Sequence, residues 1–195
     1  MVIQKDFFIQ QDGKKQKITA NILDFPNFIQ SNEYSCGVAT SLSVLYYYGI
    51  KDEREWHLEK ILKTTPEEWT YVENIVKYFS YHGFKTESRK MTVKDIESYI
   101  SKSMPVIVLL QARSDTKVDY TKTREEWHYI VAIWYNKDYL FFDDPILKNI
   151  WYMDKKEFVS RRHDMTNKIT KYVHHGIAIY GKEPKYSPLR IKKIK

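Results

Sequence analysis

Cys36 is the only cysteine in this 195-residue chain, and it lies where a polar turn gives way to the helix-like stretch CGVATSLSVLYYYG. A cysteine at the start of a helix faces the positive end of the helix dipole, which favours the thiolate over the thiol. A lone cysteine is nevertheless most often a small buried hydrophobic residue. Cys36 is therefore a candidate nucleophile that needs a nearby base before it can act as one.

A histidine and an aspartate are available for that purpose in the second half of the chain. The segment WHYIVAIWY alternates as a strand does, so His128 shares one face with every second residue after it. A three-residue hairpin loop at 135–137 would set His128 opposite Asp144, whereas a shift of one residue would set it opposite Asp143. Directly opposed side chains lie about 5 Å apart, so a carboxylate there can orient the imidazole. We expect Asp144 to be the partner, and Asp143 to face away and tolerate change.

The same residues lie in two motifs that resemble those of a known family. Gln30, Cys36, Gly37 and Ala39 form the pattern Q-x5-C-G-x-A, and HYIVA is followed by DDP. Together, in this order and at this spacing, they resemble the C39 cysteine peptidases, a papain-like group. That group includes bacteriocin-processing peptidase domains fused to ABC transporters, and stand-alone relatives. The resemblance extends over about residues 25–180, where KKEFVSRRHDM is similar to the end of stand-alone members.

The resemblance implies roles for four residues. Cys36 matches the nucleophile, His128 the general base and later acid, and Asp144 the residue that orients the histidine. Gln30 matches the glutamine whose side-chain amide helps to form the oxyanion hole, with the backbone N–H of Cys36 as the second donor. Without the resemblance, Gln30 is equally well interpreted as an ordinary polar turn residue.

Two residues depart from the family's pattern. Ser35 stands where transporter-linked members usually have an aspartate, and Trp127 holds a place often taken by glycine. No apolar run reaches the roughly 18 residues of a membrane-spanning helix, so we expect no transmembrane segment and no transporter. A double-glycine leader peptide therefore cannot simply be taken as the substrate.

The elements that would position these residues change in character along the chain. A hairpin is expected at the N-terminus, where DFFIQQ and QKITANI flank DGKK. Spacing and capping then predict four helices: from near Cys36 to Gly49, over 53–63, from TPEEW at 65–69 to His82, and over 92–101. From Pro105 follow the strand-like segments PVIVLLQA, EWHYIVAIWY, DYLFFDD, NIWYM and HHGIAIY. This order predicts an α+β fold with an N-terminal helical half and a C-terminal antiparallel sheet, as the papain-like resemblance also implies.

Composition limits the remaining possibilities. The length and the 43% hydrophobic content suit a single domain, which we place at 1–181, followed by a basic tail at 182–195. One cysteine excludes an internal disulfide and multi-cysteine zinc sites, and we expect neither a cofactor nor a metal. We interpret the tail as solvated rather than as a contact for nucleic acid or an anionic surface, because no aromatic platform alternates with its charges. The N-terminus has no apolar signal segment, so we expect a cytoplasmic protein.

The leading hypothesis is a papain-like cysteine peptidase that hydrolyses a peptide or amide bond through an acyl-enzyme on Cys36. The alternative is a catalytically inactive papain-like module that binds a peptide or protein. A third hypothesis, a basic nucleic-acid-binding protein, predicts salt-dependent retention on DNA and no thiol reactivity. The enzyme hypothesis requires the sulfur within about 4 Å of a His128 ring nitrogen and an exposed thiol that reacts quickly with iodoacetamide. A separation of more than a cleft-width, or a thiol sealed in the core, would overturn it.

Overall fold

A computed structural model of the chain describes residues 2–11, 14–112, 119–120, 122–123, 127–146, 149–166 and 170–186. Its helices are α1 (Cys36–Tyr47), α2 (Glu55–Leu62), α3 (Val72–Tyr81), α4 (Val93–Ser101) and α5 (Lys155–Arg161). Its strands are β1 (Val2–Gln11), β2 (Lys14–Leu23), β3 (Lys85–Lys90), β4 (Val106–Gln111), β5 (Trp127–Tyr135), β6 (Tyr139–Asp143), β7 (Ile150–Asp154), β8 (His163–Thr166), β9 (Thr170–Val173) and β10 (His175–Tyr180). None of these described helices has the length and apolar character needed to cross a membrane.

The centre of the fold is a six-stranded sheet in the order β3-β10-β4-β5-β6-β7, in which every neighbouring pair is antiparallel. Every residue of β4 is buried, as expected for an apolar strand covered on both faces. Helices α1 and α4 pack against β5, and α5 packs against β4, β6 and β7. The five strands predicted from Pro105 onward are confirmed, and so is the segregated α+β arrangement.

Helix α1 is the central helix, and all but one of its twelve residues are buried. A helix that is buried on all sides needs partners for its polar side chains. The hydroxyls of Thr40 and Ser41 supply their own, because both donate to the Gly37 carbonyl in the preceding turn, at 3.1 and 2.7 Å. The sequence prediction of a helix beginning at Cys36 is confirmed.

The predicted start of the third helix is wrong. Thr65 begins a single turn instead, in which its carbonyl accepts from Trp69 N at 2.7 Å and its hydroxyl from Glu68 N at 3.2 Å. Trp69 then adopts a left-handed conformation with φ of 55°, which stops the helix. The helix starts again only at Val72, so Trp69 does not belong to the buried face of α3.

Some of the remaining elements were predicted from the sequence and others were not. The N-terminal hairpin is confirmed, with Gln11 paired to Lys14, while its predicted turn at 12–13 lies outside the described residues. Helices α2 and α4 begin and end within two residues of the predicted limits. Strand β3, helix α5 and the β8–β9 pair were not predicted.

The chain after β10 returns to α1. The N–H groups of Lys185 and Tyr186 both donate to the carbonyl of Tyr47, at 2.9 and 3.0 Å. Tyr186 also packs against the core. The rest of the predicted basic tail, 187–195, lies outside the described residues.

Candidate active site

Cys36 is the first residue of α1, so its backbone N–H belongs to the helical turn that lacks intrahelical acceptors. The next residue has to be glycine for steric reasons. A Cβ on Gly37 would lie 2.6 Å from Cβ of Thr70, which is far inside van der Waals contact. The loop that carries Thr70 therefore packs directly on the first turn of α1, beside the thiol.

His128 lies on β5 opposite Leu110 of β4, and its imidazole has two side-chain partners. The Nε2 atom donates to Oδ1 of Asp144 at 3.0 Å. The side chain of Cys36 is the second group that raises the pKa of the ring, so it lies near the imidazole. The imidazole of His128 thus lies between the carboxylate of Asp144 and the side chain of Cys36.

The two partners determine the ionisation of His128. Its side chain is only 4% exposed, and burial by itself lowers the pKa of an imidazole. Hydrogen bonds and charge interactions with Asp144 and Cys36 outweigh that burial and raise the pKa of His128 to about 9. The site therefore favours a protonated ring between a carboxylate and a sulfur.

Asp144 meets His128 as expected, but the predicted hairpin register is wrong. Tyr135 pairs with Leu140, and a β-bulge between Ala132 and Trp134 shifts the pairing further along the strand. Asp144 lies just beyond the end of β6 rather than opposite His128 in the ladder. Its Oδ1 also accepts from Ile146 N at 3.0 Å, so a tight turn holds the carboxylate toward the ring.

The expectation that Asp143 tolerates change remains a prediction, and the surroundings of Asp143 argue against it. Asp143 is 3% exposed, and its Oδ1 accepts from Nδ2 of Asn27 at 2.5 Å. Burial raises the pKa of Asp143 to about 7, against the lowering effect of hydrogen bonds from Asn27 and Ser43. Asp143 makes no contact with His128 among those described, yet it is buried, hydrogen-bonded and adjacent to Asp144.

Gln30 lies in the loop before α1, where its side chain bonds to that loop. Nε2 donates to the carbonyl of Asn32 at 2.8 Å, and a longer contact of 3.4 Å joins it to the carbonyl of Glu33. The backbone N–H of Gln30 donates to the carbonyl of Pro145 at 2.8 Å. The structure therefore brings Gln30 to the loop that carries Asp144, with its amide directed at carbonyls rather than at the thiol.

The expectation of an exposed thiol is wrong, because Cys36 is 1% exposed. A cavity of about 540 Å³ lies beside its partners, with both His128 and Asp144 in the wall. Most of the remaining wall is apolar or aromatic, with Leu110, Ile130, Phe142 and Trp151 among its residues. Cys36 is not among the residues that line this cavity.

Both departures from the family pattern have specific partners in this chain. The Ser35 hydroxyl donates to Oε1 of Glu55, the first residue of α2, at 2.9 Å. A carboxylate therefore lies beside the residue before the thiol, although it comes from another helix. The Trp127 ring stacks on Trp69, with centroids 5.1 Å apart and planes at 28°.

Asn27, Asp143 and Glu55 surround the candidate triad. Neither Asn27 nor Glu55 is predicted from the sequence, and Asp143 is predicted only as the alternative partner of His128. Each acts across a long sequence separation, such as the 116 residues between Asn27 and Asp143. No periodic pattern in the sequence predicts such a long-range contact. The one available signal is the adjacent pair of aspartates before a proline, since one buried acid next to another requires a neutralising partner.

A helix that begins at a thiol and packs on an antiparallel sheet that presents an imidazole and a carboxylate defines a papain-like fold. Solved structures agree. The peptidase domain of Streptococcus ComA, a bi-functional ABC transporter involved in quorum sensing, matches with a TM-score of 0.60 and 22% identity, covering 80% of this chain and 98% of that domain. A putative C39-like peptidase from Bacillus anthracis matches with a TM-score of 0.62 and 14% identity, covering 84% and 98%. A double glycine motif protease from an AMS/PCAT transporter, solved in complex with the leader peptide, matches with a TM-score of 0.54 and 15% identity, covering 83% and 92%.

The family follows from the sequence match. The model of the Peptidase_C39-like family matches residues 22–171, and the chain belongs to that family. No curated protein matches the sequence.

Proposed function

We propose that this protein is a cysteine peptidase that hydrolyses a peptide or amide bond through an acyl-enzyme on Cys36. The observation that carries the proposal is the position of the His128 imidazole, which donates to Asp144 at 3.0 Å and has the side chain of Cys36 as its other neighbour. A thiol is a weak nucleophile until an adjacent base takes its proton, and a buried imidazole with a carboxylate behind it is such a base. Membership of a peptidase family supports the same chemistry.

The proposed reaction uses each group in turn. The sulfur of Cys36 attacks the substrate carbonyl, a C–S bond forms, and the carbonyl electron pair moves to the oxygen. As the C–N bond breaks, Nδ1 of His128 gives its proton to the leaving nitrogen. Water then attacks the thioester and His128 accepts a proton from that water. The carbonyl re-forms as the C–S bond breaks, which releases the acid, and His128 returns its proton to the sulfur.

Asp144 keeps the ring in the orientation that this sequence requires. Because Nε2 donates to a carboxylate, Nδ1 is the nitrogen that exchanges protons with sulfur, leaving group and water. The carboxylate also stabilises the imidazolium that accompanies the thiolate.

The oxyanion is proposed to accept from the backbone N–H of Cys36 and from the side-chain amide of Gln30. The helix start supplies the first donor without rearrangement. For the second, the N–H in the 3.4 Å contact with the Glu33 carbonyl is the one available, because that contact is weak. In the proposal, Gln30 keeps its 2.8 Å bond to Asn32 and the substrate oxyanion replaces the Glu33 carbonyl as the acceptor of the second N–H.

A second candidate function is a peptide-binding module without turnover, and the burial of Cys36 favours it. A carbonyl can reach a sulfur that is 1% exposed only if neighbouring side chains move. The neighbour solved with a leader peptide supports a peptide as the ligand under either function, with no implication for its sequence.

The two functions separate in one experiment with a thiol-directed peptidyl ketone and a mixed peptide library. For the peptidase, intact-mass analysis should show one adduct on the folded wild type and none on Cys36→Ser. The library should gain new α-amino groups with wild type only. His128→Gln should lose both signals while remaining folded by circular dichroism.

A module without turnover would retain peptides from the library while producing neither adduct nor new termini. That outcome would reject the peptidase. Equal labelling of folded and urea-unfolded protein would reject it as well, because the fold would then contribute nothing to the reactivity of the thiol.

A further inference from the structure

The end of β6 and the segment before α1 are joined at two points, close to the candidate triad. Nδ2 of Asn27 donates to Oδ1 of Asp143 at 2.5 Å and to the backbone carbonyl of Asp144 at 3.1 Å. Three residues later, the N–H of Gln30 donates to the carbonyl of Pro145 at 2.8 Å. The backbone on both sides of the Asp144 carboxylate is therefore fixed to the chain that leads into Cys36.

The same carboxyl group reaches α1 itself. Ser43, a fully buried residue of that helix, faces Asp143, and its hydroxyl acts to lower the pKa of that carboxyl group. The same hydroxyl accepts from the N–H of Phe28 at 3.2 Å. Asp143 thus connects the helix that carries the thiol with the turn that carries Asp144.

Two buried oxygens of this cluster have no partner among the described residues: Oδ1 of Asn27 and Oδ2 of Asp143. They belong to the two side chains that already share one hydrogen bond. The orientation of the Asn27 amide is fixed, because its NH₂ group faces two carbonyl-type oxygens that only a donor can satisfy. A single proton on Oδ2 of Asp143 would let it donate to Oδ1 of Asn27, and both oxygens would then be satisfied.

The charges around Asp143 favour that proton. Among the described residues, no lysine, arginine or histidine bonds to its carboxyl group. The titratable groups that face it are the adjacent Asp144 carboxylate and, from the chain after β10, Tyr186. A second buried negative charge beside Asp144 would be unfavourable, and burial accordingly raises the pKa of Asp143 to about 7.

We propose that Asn27 and Asp143 are positioning residues for the reaction, in which a neutral Asp143 forms a two-bond acid–amide pair with Asn27 and holds the Asp144 turn against His128. This inference rests on the proposed peptidase function. Neither residue touches the reacting atoms. The pair acts by keeping Asp144 within hydrogen-bond distance of the imidazole.

The test compares folded variants by two measurements that need no substrate: the rate of Cys36 alkylation by iodoacetamide across pH, and the NMR titration of His128. Asn27→Ala removes the two hydrogen bonds that Asn27 donates to Asp143 and Asp144. We expect alkylation near pH 7 to slow by about tenfold or more, because a small misplacement of a catalytic group has large effects. We also expect the titration midpoint of His128 to fall. Asp143→Leu should behave in the same way. Asp143→Asn should retain most of the wild-type rate, because an amide can form both bonds of the pair.

Asn74→Ala is the matched control. Its part-buried amide donates to the carbonyl of Leu62 at 2.8 Å, between helices that carry no triad residue. We expect it to lower stability without changing the His128 titration. Equal effects of Asn27→Ala and Asn74→Ala on His128 would overturn the proposal, and so would an equal loss in Asp143→Asn and Asp143→Leu.

Infrared spectroscopy tests the proton itself and is independent of activity. Wild type at pH 6 should show a protonated, buried carboxyl band that disappears in Asp143→Asn and as the pH rises past 7. Absence of that band would overturn the proposal even if Asn27→Ala failed to fold. A wild type whose Cys36 is unreactive, but whose band is present, would instead reject the peptidase function and leave the Asn27–Asp143 pair intact.

Discussion

Replacement of Asp144 by alanine tests the electrostatic arrangement of the site most directly. With Asp144 and Cys36 as partners, the pKa of His128 is raised from an ordinary 6.5 to about 9. That difference corresponds to about 3 kcal/mol in favour of the protonated ring. Burial acts in the opposite direction and is the largest single influence, so the two partners together must contribute more than the net shift.

Asp144→Ala removes one partner and leaves the burial. We therefore expect the His128 titration midpoint, followed by NMR of its ring protons, to fall by about 2 units or more. Asp144→Asn should also lower the midpoint, because the charge is lost. It should be milder for kcat/KM than alanine, because the amide oxygen still accepts the Nε2 proton.

The same shift predicts a pH dependence of stability. The folded-state pKa of His128 lies above its unfolded value, so the folded state binds more protons between the two. The stabilisation is complete below about pH 6.5 and is lost as the pH rises toward 9. Urea unfolding of the wild type should show a decline of about 3 kcal/mol in that interval, and Asp144→Ala should show little of it.

Asp138→Ala is the control for this experiment, since Asp138 is exposed in the loop between β5 and β6. It should leave the His128 midpoint and the pH dependence unchanged. A midpoint that remains near 9 in Asp144→Ala would refute the assignment of Asp144 as the partner that holds the proton on the ring.

Three further predictions concern neighbouring residues. Gln30→Ala should lower kcat by about a hundredfold with KM and unfolding free energy nearly unchanged, and an unchanged kcat would make Gln30 a turn residue only. Gly37→Ala should destabilise the fold by about 1 to 3 kcal/mol in urea unfolding, because its methyl group would overlap Thr70; a neutral effect would mean that this loop moves freely. As the pH rises from 4 to 7, the wild type should lose up to about 4 kcal/mol of unfolding free energy, because the pKa of Asp143 is raised to about 7 in the folded state. Asp143→Asn should show no such loss, and identical pH profiles of the two proteins would contradict a buried, neutral acid.

The sequence predicts the local parts of the site well. Small and apolar residues after a polar turn predict that α1 begins at Cys36, and β-branched and aromatic runs predict the strands that carry His128 and Asp143. These predictions succeed because helix starts and buried strands are determined by neighbouring residues. TPEEW has the same local signals for a helix, yet it forms only one turn, because Trp69 leaves the helical conformation to stack on Trp127, 58 residues later in the chain.

The predicted contact between Asp144 and His128 is present although its supporting register is wrong. A bulge in β5 changes which residues face each other across the hairpin, and alternation in the sequence gives no sign of that bulge. Asp144 still reaches His128 because it lies past the last ladder pair, where the Ile146 turn rather than the strand directs the side chain. The partner of a strand histidine such as His128 is therefore better predicted from the turn after the neighbouring strand than from a count of opposed residues.

The two departures from the family pattern lead to the same distinction between local and long-range information. A motif specifies the residues next to Cys36 and His128, whereas the packing and hydrogen-bond partners of those residues come from elsewhere in the fold. Ser35 carries no charge, and the carboxylate beside it belongs to Glu55 of α2. Trp127 holds a place often taken by glycine, and its ring stacks on Trp69 of a distant loop. Each of these residues near the site thus has a partner that is distant in the sequence, as Asp143 has in Asn27.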